Sequence, residues 1–175
     1  MRLFDREGES RVPLLRLSAL LHADYRLPTL DYEAWLRATR RLTGDEREVA
    51  KAFERCMINL LLHNRDDHSR KFAFRLDGDR LWRPAPVFDL IYCQGSGCEH
   101  QTSVAGVART TGRAHLLEVA RCSGLDLVQA RGISERLLDG VMVPPALATD
   151  LPIRKGRLAE LRRALAADWR RAEGV

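Results

Sequence analysis

Apolar side chains recur at helical spacing over much of this chain and alternate only briefly, so the pattern predicts a mainly α fold with a small β-hairpin. Residues 28–39 predict a short helix, capped by Thr29 or Asp31, with Tyr32, Trp35 and Leu36 on one side. Gly44 breaks that pattern. Thr43 followed by Glu46 is spaced as a capping box, and Val49, Phe53, Met57, Leu60 and Leu61 then predict a buried central helix over residues 49–62. A polar stretch, residues 63–71, follows it. Phe72, Phe74 and Leu76 alternate up to Asp77-Gly78, a pair suited to a tight hairpin turn, so residues 72–76 are expected to pair with residues 80–82 before Pro84 and Pro86 stop regular pairing.

Helical periodicity resumes with Leu116, Leu117 and Ala120, ending near Gly124, and Asp126 with Gln129 marks another capped start. After Pro144-Pro145, Leu158, Leu161, Leu165 and Trp169 predict a last amphipathic helix. No repeat divides the chain. At 175 residues the expectation is one domain, residues 1–175, around one core.

Composition narrows the class. A 45% hydrophobic and 30% charged chain is that of a soluble globular domain. Lys and Arg number 29 against 24 Asp and Glu, and the surplus of five is interspersed, so a solvated surface is expected rather than direct nucleic-acid binding. Cys56, Cys93, Cys98 and Cys122 are scattered without a CxxC pair, which predicts free thiols in a reducing cytoplasm. The first eleven residues have no apolar secretory segment, and no apolar run approaches bilayer length.

The chemistry concentrates in His63-Asn64-Arg65-Asp66-Asp67-His68-Ser69-Arg70-Lys71, where a buried helix should give way to a loop. Adjacent carboxylates bracketed by Asn and His on a rigid scaffold can position a hydroxyl, a magnesium ion or both. A further carboxylate, Asp89, sits in the apolar segment Pro84-Ala85-Pro86-Val87-Phe88-Asp89-Leu90. Two carboxylates on successive loops suit phosphoryl transfer, one orienting the attacking hydroxyl and the other holding magnesium. From the residues alone two alternatives stay open. Asp66 or Asp67 can cap backbone amides in a structural network with His68, or His63, Asp66, Asp67 and His68 can belong to a hydrolytic metal centre.

Together, residues 63–74 and the later Arg83-Pro84-Ala85-Pro86-Val87-Phe88-Asp89-Leu90 resemble the catalytic segment of the HipA-like serine/threonine kinase toxins. In that family an Asn-x-Asp-x-His-x-x-Asn pattern is followed by a Pro-x-Tyr-Asp-Leu-like one. Phe4-Asp5-Arg6 resembles the family's segment near the lobe junction, and the likeness continues through residues 97–100, 104–106 and 113–124 to the terminal stretch. The resemblance implies a protein kinase-like C-lobe, with Asp66 as the catalytic aspartate, Asn64 and His68 supporting its loop, and Asp89 as the magnesium ligand beside ATP.

Two departures bear on function. The second Asn of the pattern is Lys71 here, an ammonium donor that cannot coordinate magnesium but could contact a phosphate. No G-x-G-x-x-G run is present, so the amino-terminal ATP-gripping lobe is expected to be absent, and Gly95-x-Gly97 lies downstream of Asp89 and cannot replace it. The expectation is a truncated or degenerate lobe, inactive alone, a pseudokinase-like or binding remnant of a toxin–antitoxin module with weak or no Mg2+ and ATP binding. The alternative is the C-lobe of a split kinase completed in trans. Expected partners are an N-lobe or antitoxin-like protein, or a second copy, docking near Phe4, Val87 and Phe88.

Overall fold

Asp31 and Gly44 bound the first long helix in the computed structural model, which describes residues 4–109, 111–142 and residue 156. The Pro144-Pro145 break and the last amphipathic helix lie outside the described residues. The Asp31 side chain accepts from the Ala34 amide at 2.6 Å, and Gly44, at φ 63°, closes the end of α2 (Tyr32–Thr43) in the left-handed conformation that glycine takes without strain. The helix starts and stops later than predicted over residues 28–39. Thr29 lies outside it, and its buried face is Tyr32, Trp35, Leu36 and Thr39.

The cap of α3 (Glu46–Leu61) is also displaced from the predicted one. Asp45, not Thr43, accepts from a first-turn amide, Arg47 N at 2.9 Å, while the Thr43 hydroxyl turns back to the Thr39 carbonyl. Both side chains can cap, but Thr43 is still inside α2. Val49, Phe53, Cys56, Met57 and Leu60 form the buried stripe of α3, and burying a Phe or Met side chain stabilises by about 1.5–3 kcal/mol.

The polypeptide enters through a two-stranded ribbon, β1 (Arg6–Glu7) with β2 (Ser10–Arg11), and then β3 (Leu14–Arg16) and the single turn α1 (Leu17–Leu20). Strand β3 pairs with β4 (Ala73–Leu76), which pairs in turn with β5 (Trp82–Pro84), giving an antiparallel sheet of order β3-β4-β5. The predicted hairpin is present with a shifted partner: Leu76 faces Trp82 and Phe74 faces Pro84. Its connection is not a two-residue Asp-Gly turn. The Asp77 carboxylate accepts from the Asp79 and Leu81 amides, and Arg80 takes the positive φ of 59°. Pro84 still pairs because β5 is an edge strand, where a missing N–H costs no ladder bond.

α3 packs on α2 and on α5 (Leu127–Met142), and α4 (Arg113–Cys122) lies against α2 and α5. As predicted, Gly124 (φ 67°) follows α4 and Asp126 accepts from the Gln129 amide at the start of α5. All four cysteines are free, Cys56 inside the core. Among the described residues no helix is long and apolar enough to cross a membrane.

Candidate functional site

Helix α3 ends at Leu61 with its polar continuation turned inward. His63, at φ 52°, reverses the chain, and the loop is tied to the segment after Asp89 by Cys93 N to His63 O at 2.9 Å and Arg65 N to Cys93 O at 3.2 Å. Gly95 is part of the same contact. A Cβ there would lie 2.9 Å from the Arg65 Cβ and 2.4 Å from the Glu99 carbonyl oxygen, so only glycine lets these loops approach. The two chemistry-bearing loops of the sequence are therefore clamped together by backbone.

Asp66 and Asp89 converge on one cation. Lys71 Nζ donates to Asp66 Oδ2 at 2.6 Å and lies 2.8 Å from Asp89 Oδ2. The Lys71 side chain is only 7% exposed, whereas those of Asp66 and Asp89 are 41% and 54% exposed, so the ammonium forms the floor and the carboxylates the rim. Burial works against the Lys71 charge, yet its hydrogen bonds to both carboxylates outweigh that penalty and hold it above the ordinary lysine value. Asp89 adopts φ 54°, a left-handed backbone that aspartate tolerates better than bulky residues do.

The other predicted residues surround this cluster. His68 Nε2 is 3.9 Å from Asp66 Oδ1, its ring faces Tyr25, and burial pulls its pKa below the usual imidazole value. Asn64 donates to Asn59 Oδ1 at 2.9 Å, fixing the loop to α3. Phe88 stacks on Phe4 with ring centroids 5.2 Å apart. Arg55 of α3 lies over Phe88 and donates to the Lys71 carbonyl, joining the two halves of the site from below.

The sequence offered Asp67 as an alternative cap or as a member of a metal centre, and it proves to be the anchor of the loop. It is fully buried and accepts from Tyr32 Oη at 2.7 Å, the Gln101 amide at 2.8 Å and the Thr102 amide at 3.3 Å. His100 Nδ1 stands 2.8 Å from Asp67 Oδ2, and because a carboxylate only accepts, that nitrogen carries the proton. Asn59 donates in turn to Tyr32 Oη at 2.9 Å. Burial, reinforced by Asp67, pushes the Tyr32 phenol well above its ordinary pKa and keeps it a neutral donor. The signal for this network was faint: polar Tyr32 and Asn59 standing on otherwise apolar helix faces.

The donor set does not suit a divalent ion. Lys71 already contacts both carboxylates, brings positive charge and supplies no lone pair, and no group of three His, Cys, Asp or Glu side chains among the described residues could hold a metal. The hydrolytic metal centre weighed for His63, Asp66, Asp67 and His68 is not assembled: Asp67 faces the interior and His100, while Asp66 faces Lys71.

The family model for the HipA-like C-terminal domain matches residues 1–143. No curated protein matches the chain. Among solved structures, HipA of the toxin–antitoxin system of Shewanella oneidensis MR-1, determined with HipB and its operator DNA, matches with a TM-score of 0.77 at 14% identity. The match covers 98% of this chain and 48% of that one, so this chain spans about half the length of its structural relative. At that identity the likeness establishes a shared fold.

Proposed function

The chain belongs to the family of HipA-like C-terminal domains, and from that premise we propose that it is a kinase-like C-lobe acting as a binding element of a toxin–antitoxin module rather than as a phosphotransferase on its own. The observation that carries this is the placement of Lys71 Nζ 2.6 Å from Asp66 and 2.8 Å from Asp89. These are the two carboxylates to which the family resemblance gives the hydroxyl-orienting and magnesium-binding roles. An internal ammonium offsets one of the pair's two negative charges and occupies the place where a divalent ion would otherwise be attracted, and it cannot polarise phosphate oxygens as a metal does.

The partner class follows from the relative, which was solved with HipB: an antitoxin-like protein is the expected companion of this lobe. Direct DNA contact is not part of the proposal, because the small positive surplus of this chain is interspersed with acids.

Calorimetry of magnesium and of Mg-ATP binding to the wild-type chain and to Lys71→Asn tests the reading. Wild type should show no magnesium-dependent nucleotide binding, and Lys71→Asn should gain a magnesium-dependent signal. Wild-type affinity near 1 μM, about −8 kcal/mol, would contradict it.

A second reading has its own support. Asp66 and Asp89 do converge, and Val87, Leu90 and Ile91 beside Asp89 are exposed apolar side chains, as in a lobe completed in trans. In that reading Lys71 swings from the carboxylates to a phosphate when an N-lobe binds. Phosphotransfer by a mixture with such an N-lobe, lost in Asp66→Asn, would establish it.

A further inference from the structure

A groove of about 390 Å³ runs along α2, between that helix and the single turn of α1. Its α2 side follows from spacing. Ala34, Arg37, Ala38, Arg41 and Leu42 stand at i, i+3, i+4, i+7 and i+8, a face separate from the buried Tyr32, Trp35, Leu36 and Thr39. Leu20 and Leu21 form the other wall. That wall is preformed, because Leu17 is fully buried, its amide donates to the Phe72 carbonyl at 2.9 Å, and the Leu21 amide donates back to the Leu17 carbonyl at 2.9 Å.

The floor is apolar and the rim is cationic. Alanines at 34 and 38 leave the groove its depth, Leu20 and Leu42 are only partly buried against the core, and Leu21 is 40% exposed. The rim cations are open to solvent. Arg41 is exposed and makes no ion pair among the described residues. The Arg37 side chain is 55% exposed, and its contact with Asp31, 3.7 Å long and exposed on both sides, holds it weakly. By contrast Arg40 and Arg47, near in sequence, are each held by a carboxylate, Glu46 at 2.5 Å and Asp45 at 2.8 Å. No acidic side chain lines the groove, so its positive charge is left uncompensated on this face.

A concave apolar floor receives a convex ridge, which is what the apolar stripe of a helix presents, and two guanidiniums one turn apart select acids flanking that stripe. The tail of this chain does not fit that description: residues 143–175 carry seven Lys and Arg against four Asp and Glu. A second copy docked on the same face across a two-fold axis would oppose arginine to arginine. A flat lipid surface would meet the rim without reaching the floor.

We propose that the groove between α1 and α2 is the docking site for an acidic amphipathic helix of a partner protein, its apolar stripe lying between Leu21 and Leu42 and its flanking carboxylates paired with Arg37 and Arg41. Docking here uses no residue of the Asp66 cluster and is independent of the reading given to Lys71.

The test titrates the full chain into fluorescein-labelled helical peptides that share leucines at i, i+3, i+4 and i+7 and carry either Glu or Lys at the flanking positions, read by fluorescence anisotropy. Saturable binding of the Glu peptide, weakened by salt and at least about tenfold tighter than that of the Lys peptide, is the expected result. Arg37→Glu combined with Arg41→Glu should reverse the preference, and Leu21→Glu should weaken the Glu peptide by at least about tenfold. These positions are exposed, and melting midpoints check that the variants fold; should one fail, the comparison of the two peptides on the wild type decides. Absent binding, equal binding of both peptides, or a preference unmoved by the charge reversal would overturn the proposal. So would binding to phosphatidylglycerol vesicles without binding to the Glu peptide, which would assign the face to a lipid surface. A dimer in light scattering that Leu21→Glu abolishes would assign it to a second copy, and overturn the proposal equally.

Discussion

Asp66 and Asp67 are adjacent in sequence and opposite in situation. Asp67 is fully buried and collects donors from α2 and from the segment at residues 100–102, so its neighbours are fixed by the fold. Asp66 is partly exposed and answers to one buried ammonium, shared with Asp89. The difference separates two roles that a motif alone merges. One carboxylate holds the loop in place, and the other lies at its partly exposed rim against Lys71.

The sharpest way to break this contrast is to delete each carboxylate. Asp67→Ala strands the Tyr32 hydroxyl, the His100 N–H and two amides in the interior, and should cost about 3–5 kcal/mol in urea denaturation. Asp66→Ala should cost about 1 kcal/mol or less, since Lys71 keeps Asp89 and water reaches the rim. Similar losses at the two positions would mean that the division of labour is wrong.

That contrast also explains what the sequence could and could not disclose. Asp66, Lys71 and Asp89 were legible because short local patterns carry them, and the central helix because its stripe of Val49, Phe53, Met57 and Leu60 spans several turns. The Asp67 anchor was not, because its partners stand 33–35 residues away in segments without a motif of their own. Strand β3 escaped for a related reason: a three-residue strand is too short to show alternation, and its pairing with β4 is set across the intervening helices. The cap of α3 was misplaced because Thr43 and Asp45 offer equivalent chemistry two residues apart, and only the end of α2 decides between them.

A change at Lys71 sharpens the comparison from the other side. Lys71→Asn leaves Asp66 and Asp89 facing one another on a solvated rim, and about 1 kcal/mol of stability should be lost without divalent ions. Magnesium at millimolar concentration should restore it in the variant, while the wild-type midpoint stays unchanged. Thermal melts with and without magnesium read this directly. A wild-type chain stabilised as strongly as the variant would show that Lys71 does not stand in for the ion.

Alkali should act on the same cation. The folded pKa of Lys71 lies above its unfolded value of 10.5, so its contribution is complete below that pH and is lost as pH rises through the folded value. Lys71→Met removes this dependence. The difference in midpoint between wild type and Lys71→Met should therefore be constant from pH 7 to 9 and shrink above it; a difference that stays flat to higher pH would mean the ammonium gains nothing from its two carboxylates.

The smallest effect is expected at His68, which sits between the two regimes. Its pKa is depressed first by burial, with Asp66 pulling in the opposite direction across 3.9 Å. Folding therefore favours the neutral imidazole, and its contribution is present above the unfolded value of 6.5 and declines as pH falls through the lower folded value. His68→Gln keeps a polar side chain of similar reach but cannot titrate. Between pH 7.5 and 5.5 the wild type should lose slightly more stability than this variant, measured as paired urea midpoints. Were Asp66 the stronger influence, the sign would reverse and the wild type would gain on acidification, which would place His68 with the exposed cluster instead of with the buried scaffold.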